Sequence, residues 1–213
     1  MTTIAIESDR VGDGPHLSAL PHVVRAIDVH AGVDRVRAEN AVAELLVALG
    51  RDPSAGGLVD TPRRVVDAFI EQLAPNDFTP TAFPNSEGYD ELVLVRDVPF
   101  RSLCEHHLLP FRGVAHVGYL PGDRLIGLSK LARVVDYFSR DLQVQERLTT
   151  QIANWLDVEL DPRGVGIVME AEHTCMTTRG IQAQGAVTVT STFIGEVKER
   201  QELRHQFWDG TRR

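Results

Sequence analysis

"GAVTVTSTFIG", residues 185–195, alternates two kinds of side chain with a period of two, which is typical of a β-strand. One face of this predicted strand carries Val187, Val189, Ser191 and Phe193, and the other carries Ala186, Thr188, Thr190 and Thr192. The preceding stretch "GVGIVMEAEH", residues 164–173, also has strand character. The sequence therefore predicts two consecutive strands towards the end of the 213-residue chain.

Strands and helices are predicted in alternating blocks further upstream. Strand patterns occur in "ELVLVRDVPF" (residues 91–100), "GVAHVGYL" (113–120) and, after the turn "LPGDRL", "RLIGLS" (124–129). Helix patterns follow in "KLARVVDYFS" (130–139), which Ser129 can cap, and in "QVQERLTTQIANWL" (143–156), with Val144, Leu148, Ile152 and Trp155 on one face. This order favours an α+β fold with an antiparallel sheet over a doubly wound fold.

Two more helices are predicted before the strands. "AENAVAELLVALG" has Val42, Leu45, Leu46 and Leu49 at helical spacing and Gly50 as a C-cap. "DTPRRVVDAFIEQL" has Thr61 as N-cap, Pro62 at the first helical position, and an apolar face of Val65, Val66, Phe69, Ile70 and Leu73.

The chain divides at a segment rich in Pro, Asn, Gly and Ser. We expect residues 75–90 to form a loop of about 15 residues. The polar, aperiodic residues 1–15 suit a mobile N-terminus. The predicted organisation is this N-terminus, a helical region at residues 16–75, and a second domain at residues 90–213.

Composition narrows the class of protein. The hydrophobic content of 43% is ordinary for a globular chain. The sequence offers neither the ~18 continuous apolar residues of a membrane span nor a basic-then-apolar signal at its start. We therefore expect a soluble, cytoplasmic protein. A net charge of −8 argues against nucleic acid and acidic membranes as partners, so any polyanionic ligand needs a local cationic cluster.

The two cysteines predict a metal site. In "SLCEHHLLPF" (residues 102–111), Cys104 and His107 have a spacing that lets a thiolate and an imidazole converge on one ion. "EHTCMTTRG" supplies Cys175 at the end of a predicted strand. Two thiolates and one imidazole form a zinc ligand set that leaves a fourth position for water, which indicates a catalytic site.

Simpler interpretations exist for each residue alone. A free cysteine such as Cys104 is often a buried small hydrophobe, and a lone histidine is usually a satisfied polar group. The combination of a CxxH pair with a distant cysteine is hard to assign to packing. His106, next to ligand His107, should project away from the ligand position while staying near it, so His106 and His173 are candidates for proton transfer.

Cationic residues near the starts of predicted helices indicate a binding site for an anion. "GLSKLAR" places Ser129, Lys130 and Arg133 where free backbone N–H groups also attract negative charge. Arg179 precedes a glycine, and "TPRR" supplies Arg63 and Arg64. For any single arginine, a solvated surface position is the simpler interpretation. The sequence has no GxxxxGK[ST] loop, so phosphates would serve as a binding handle.

These motifs together resemble a known family. "SLCEHHLLPFRGVAHVGYLP", "IGLSKLARVVDYFSRDLQVQERLTTQIA", "GVGIVMEAEHTCMTTRG", "AVTVTSTFIG" and, further upstream, "LVDTPRRV" are similar in order and content to GTP cyclohydrolase I. The resemblance covers about residues 37 to 195. It leaves out the N-terminal segment and the tail "KERQELRHQFWDGTRR".

The resemblance implies a fold, an assembly and a set of site residues. The fold is the tunnelling fold, an antiparallel sheet with helices on one face, and its small α+β subunits associate into a ring-shaped barrel oligomer, typically a homodecamer. The metal is Zn²⁺ on Cys104, His107 and Cys175. The catalytic histidines are His106 and His173. Gln145 and Glu146 fall on guanine-recognition positions, with Gln145 grouped with the catalytic residues. Ser129, Lys130, Arg133, Arg179 and Arg64 fall on ribose and triphosphate positions.

The implied reaction is the hydrolytic opening and rearrangement of GTP to 7,8-dihydroneopterin triphosphate and formate, the first step of tetrahydrofolate and pterin synthesis. Zinc would lower the pKa of its water to provide the nucleophile, and the histidines would move protons. The Glu146 carboxylate could accept hydrogen bonds from guanine N1–H and the 2-amino group, a pattern that adenine lacks.

Two alternatives stay open from the sequence. A zinc-containing ring scaffold without catalysis would serve as a binding or regulatory subunit, although intact His106, His173 and Glu146 argue against it. A purine-ring hydrolase in a deazapurine pathway would use the same first reaction for a different product.

Overall fold

Two helices open the computed structural model, which describes residues 32–212. They are α1 (Arg35–Ala48) and α2 (Thr61–Leu73), and they pack against each other. No side chain of α1 is buried, and Leu45 and Leu49 are 56% and 67% exposed. The helix predicted there is confirmed, but in this single chain its apolar face is only partly covered: Val42 and Leu46 are half-buried.

Seven strands follow in two sheets. They are β1 (Ala82–Pro84), β2 (Val93–Cys104), β3 (Pro110–Leu120), β4 (Arg124–Ile126), β5 (Leu142–Gln143), β6 (Gly164–His173) and β7 (Thr188–Ile194). β1 pairs with β4 in a small sheet, and the main sheet has the order β5-β2-β3-β6-β7. Every pair in the main sheet is antiparallel except β5 with β2. The predicted antiparallel sheet thus carries one short parallel edge pair, because the chain returns through a helix before β5.

The remaining helices are α3 (Leu128–Ser139), α4 (Gln145–Leu160), α5 (Thr174–Thr177), α6 (Gly195–Glu199) and α7 (Gln201–Thr211). α3 and α4 pack on the sheet and bury its main core. Fully buried residues of this core include Val117 and Ile167 from the sheet, and Leu131 and Ile152 from the helices. This layer confirms an α+β architecture.

The C-terminal helices cover the opposite face of the sheet. Phe207 of α7 is fully buried, and it lies over Gly118 and Gly166, which pair with each other on β3 and β6. A Cβ atom at Gly166 would come within 2.7 Å of the Phe207 ring. Because successive residues of a strand face opposite sides, this surface is opposite to that of Val117 and Ile167. The expectation of helices on one face is therefore wrong: a second, smaller helical layer forms from the tail that the sequence analysis left without an assignment.

Two predicted helix caps differ in the structure. α2 begins at Thr61, and Asp60 is its cap, because the Asp60 carbonyl accepts the first helical hydrogen bond, from the Arg64 N–H. Likewise, Gly127 precedes α3 and accepts from the Lys130 N–H. Ser129 therefore lies inside the first turn, and neither helix has a side-chain cap hydrogen bond.

The segment at residues 75–90 is not wholly irregular. It contains β1, and Phe78 is buried in the main core, where its ring contacts those of Tyr137 and Trp155. The proposed division at this segment stays a prediction.

The predicted mobile terminus at residues 1–15 lies outside the described residues. Within residues 32–212, no helix is long and apolar enough to cross a membrane.

Candidate metal centre and active site

The end of β2 and the turn after it hold three of the predicted site residues. Cys104 is the last residue of β2 and is 6% exposed. The turn closes through hydrogen bonds from the His107 and Leu108 N–H groups to the Cys104 carbonyl. Because the turn is this tight, the adjacent side chains diverge: the rings of His106 and His107 are 6.3 Å apart and nearly perpendicular.

Cys175 reaches the same place from another strand. It lies in the short helix α5, directly after β6, and β6 is paired with β3. The ligand atoms of Cys104, His107 and Cys175 all lie within 4.8 Å of one another. The predicted trio is thus brought together by the fold.

The chemistry of this trio fits a cation. Burial raises the pKa of the Cys175 thiol, and the neighbouring Cys104 sulfur raises it further. Two sulfurs this close resist ionisation together unless a positive charge lies between them. A divalent soft or borderline metal supplies that charge, and a thiolate–imidazole–thiolate set suits Zn²⁺.

Arg179 lies against the metal trio. Its guanidinium Nη1 is 3.2 Å from His107 Nε2, while His107 Nδ1 is 3.8 Å from the Cys104 sulfur. A guanidinium only donates, so Nε2 of His107 accepts and Nδ1 is the nitrogen that faces the sulfur. Arg179 was predicted as a phosphate contact, and in this metal-free chain it also contacts a predicted ligand.

His173 is the more enclosed of the two candidate proton-transfer histidines. Its ring stacks on Phe111 at a centroid distance of 4.5 Å, and its Nε2 is 2.8 Å from Gln145 Oε1. Burial lowers the pKa of His173, and the charge of Glu146 opposes that shift. His173 is therefore favoured in the neutral form, with a carboxylate close enough to act on it.

His106 is in a different environment. Its side chain is 64% exposed, and its Nδ1 lies 3.9 Å from the Cys104 sulfur. Glu105 is beside it, and Arg147 holds that carboxylate at 2.6 Å, which lowers the pKa of Glu105. His106 Nδ1 thus lies about as close to the Cys104 sulfur as His107 Nδ1 does, at 3.9 and 3.8 Å, and the role of His106 in proton transfer stays a prediction.

The sequence model of GTP cyclohydrolase I matches residues 38–212 of this chain. The chain belongs to the GTP cyclohydrolase I family. It is 51% identical over 186 residues to "GTP cyclohydrolase 1" of Thermobifida fusca (strain YX), covering 84% of this chain and 89% of that protein. It is 54% identical over 181 residues to the protein of the same name from Mycobacterium ulcerans (strain Agy99), covering 83% and 90%. The apo crystal structure of the archaeosine synthase QueF-Like aligns with a TM-score of 0.42 and 14% identity over 50% of this chain and 96% of that one.

The predicted substrate residues of this GTP cyclohydrolase I family member are spread over several elements. Glu146 is exposed in the first turn of α4. Ser129, Lys130 and Arg133 lie on α3, and within the described residues no hydrogen bond or ion pair joins them to the metal trio. Arg64, on α2, is paired with Asp60 at 3.1 Å. One chain thus brings the metal trio together, while the proton-transfer, guanine and phosphate assignments stay predictions.

Sequence reasoning missed several neighbours of the catalytic histidines. Phe111 faces His173 because β3 and β6 pair in a register that places these two residues opposite each other. Thr149 and Thr190 hydrogen-bond around Gln145, which is only 1% exposed. Strand register and helix docking fix these contacts, and the sequence offers no separate signal for them. Arg147 directly follows Glu146, and its contacts with Glu105, Gln143 and the Leu142 carbonyl distinguish it from a surface arginine.

Proposed function

We propose that this chain converts GTP and water to 7,8-dihydroneopterin triphosphate and formate. The observation that carries the proposal is the convergence of Cys104, His107 and Cys175 within 4.8 Å. His106 Nδ1 lies 3.9 Å from the Cys104 sulfur, and His173 precedes Cys175 by two residues. Opening the guanine imidazole ring consumes two waters and releases carbon 8 as formate, and closing the new ring releases one water. Such a reaction needs a nucleophile at neutral pH and groups that move protons.

Cys104, His107 and Cys175 would hold Zn²⁺ through two sulfurs and one imidazole nitrogen. Bound there, the ion would lower the pKa of its coordinated water and so supply the nucleophile that attacks carbon 8. The protein's part is to keep this site small and to orient the ligands.

The two histidines would move protons at different points around the substrate. His106 is exposed and stays next to the Cys104 sulfur, so it can reach the imidazole nitrogens of guanine as that ring opens. His173 is held in place by Phe111 and Gln145, and its neutral form is favoured. A fixed neutral imidazole suits proton transfer during the later ribose rearrangement and ring closure.

Glu146 would select guanine. Its carboxylate lies close enough to His173 to affect that residue electrostatically, so a base bound there lies next to the proton-transfer group. A carboxylate can accept from guanine N1–H and the 2-amino group at once. Arg179, Arg64, Lys130 and Arg133, together with Ser129, would hold the ribose and the triphosphate.

The active form would be a ring-shaped homo-oligomer with the tunnelling fold, about ten subunits in size. β7 is the last strand of the main sheet, and within residues 32–212 no strand pairs with its outer side. Val187, just before β7, and Val189, within it, are 56% and 51% exposed. An open edge with exposed apolar side chains favours pairing with another subunit.

The test is a product balance. Purified, zinc-loaded protein incubated with GTP should release formate and form a fluorescent pterin after oxidation of the product, in equal amounts, without inorganic phosphate. Chelation of the metal should stop both products, and restored zinc should recover them. Turnover of GTP to phosphate and GDP, or no turnover by a verified zinc-loaded oligomer, would contradict the proposal.

A further inference from the structure

The Gln145 side-chain amide is oriented by its buried partners. Its nitrogen Nε2 lies 3.1 Å from each of three oxygens: the carbonyls of Met169 and Thr188, and Thr190 Oγ1. Backbone carbonyls only accept hydrogen bonds, so the atom that faces them must be the NH₂ group. The other amide atom, Oε1, therefore faces His173 Nε2 at 2.8 Å.

Two threonines complete this hydrogen-bond network, and the donor in each of their hydrogen bonds can be identified. Thr149 Oγ1 is 2.7 Å from the Gln145 carbonyl, so the Thr149 hydroxyl donates there. The 2.6 Å contact between the two threonine oxygens must then use the Thr190 hydrogen, since Thr149 has no second one. Thr190 Oγ1 in turn accepts from the Gln145 NH₂ group. The two NH₂ hydrogens are thus shared among three acceptors, and Oε1 carries no hydrogen.

An oxygen without a hydrogen can meet His173 Nε2 only if that nitrogen carries a proton. We infer that Gln145 is a positioning residue that keeps a proton on Nε2 of His173 and so leaves Nδ1 as the one nitrogen that can gain or lose a proton. Phe111 stacks on the ring with 4° between the planes, so the ring cannot easily turn to exchange the two nitrogens. No described residue hydrogen-bonds to Nδ1.

This inference deepens the proposed function, on which its catalytic meaning rests. If His173 moves protons to and from the substrate, the transfer passes through Nδ1, and Nε2 stays bonded to the protein throughout. Gln145 then acts through His173, from a position that is 1% exposed, without touching the substrate. The role of Gln145 concerns which ring nitrogen of His173 carries the proton. That position can be measured without any substrate.

The direct test is the ¹⁵N spectrum of histidine-labelled, zinc-loaded protein, with the His173 signals assigned by their loss in His173→Gln. We expect a protonated Nε2 and a bare Nδ1. A wild-type spectrum with a bare Nε2 and the proton on Nδ1 would overturn the inference, and the variant serves only to assign the signals. If wild-type protein shows the expected tautomer but no formate release from GTP, the proposed function fails and the tautomer assignment stands.

Gln145→Met provides the second arm, because methionine has a similar shape but no fixed acceptor. We expect signals averaged between two tautomers, and kcat lowered about 10-fold or more with KM changed less than about threefold. The matched control is Gln143→Met: Gln143 is another buried glutamine, and its NH₂ group bonds the Phe138 carbonyl and Gln151 Oε1. That variant should keep the His173 pattern. An unchanged pattern and unchanged kcat in Gln145→Met would also overturn the inference.

Discussion

The rings of His173 and Phe111 lie parallel, with 4° between their planes and 4.5 Å between their centroids. The two residues are direct partners in the antiparallel pairing of β6 with β3, and Phe111 is fully buried. The sheet therefore fixes His173, whereas His106 lies in a turn with a side chain that is 64% exposed. The two candidate catalytic histidines differ in rigidity and in solvation, so we expect them to serve different steps.

The first prediction concerns this division between the histidines. His173→Ala should keep its metal, still open the imidazole ring, and accumulate the N-formyl intermediate, because His173 serves the later proton transfers. His106→Ala should keep its metal but slow every step, because His106 acts from the first attack on carbon 8 onward. Purine absorbance, formate and pterin fluorescence, followed separately for each variant with GTP, distinguish the two patterns. A block at the same step in both variants would refute the division.

The second prediction is one zinc ion per subunit, bound by the two sulfurs and His107. Cys175→Ser should lose both the metal and GTP turnover, since a hydroxyl does not replace a thiolate ligand at neutral pH. Elemental analysis of the purified protein measures the zinc. The control is Met176→Leu, at a neighbouring residue that is 38% exposed, which should retain the metal. Full turnover in protein verified as metal-free would remove the basis of the mechanism.

The metal trio could be predicted from the sequence because each of its residues lies in a short, recognisable motif. Cys104 and His107 are three residues apart in one turn, and Cys175 follows a recognisable strand. The partners of His173 could not be predicted, since they depend on strand register and on how α4 packs.

The α+β class followed from the order of the strand and helix patterns. The second helical layer was missed, because the contact of Phe207 with Gly118 and Gly166 joins residues far apart in sequence. Both cap residues were misplaced by one or two positions. A serine or threonine near a helix start does not reveal which backbone carbonyl accepts the first helical bond.

The third prediction treats the triphosphate as a binding handle. Arg179→Ala should weaken GTP binding roughly 10- to 100-fold, the loss expected for one charged hydrogen-bonding partner. Inorganic phosphate should never appear in step with formate. Zinc content must be measured alongside, because Arg179 also contacts His107. Arg124→Ala is the control: that exposed side chain donates to the Glu159 carbonyl, and its loss should leave GTP binding unchanged. Release of one inorganic phosphate for each formate would contradict the prediction that the triphosphate serves only for binding.

The fourth prediction concerns the open edge of the main sheet. Val189→Asp places a charge on β7, where the valine is 51% exposed in the single chain, and should reduce a ring of about ten subunits to smaller species. Val158→Asp is the matched control, since Val158 is 65% exposed and lies on helix α4 instead of on β7. Sedimentation velocity gives both masses. A wild-type protein that is a stable and active monomer would contradict the assembly.

The central claim is that the Cys104, His107 and Cys175 site opens the guanine ring at carbon 8. The most direct measurement follows GTP labelled with ¹³C at that carbon during turnover by the zinc-loaded protein. The label should appear in formate, one for each pterin formed, and the same experiment with Cys175→Ser should leave the label in GTP. Label that stays in the product of the wild-type protein, or labelled formate released equally by the Cys175→Ser variant, would contradict the account.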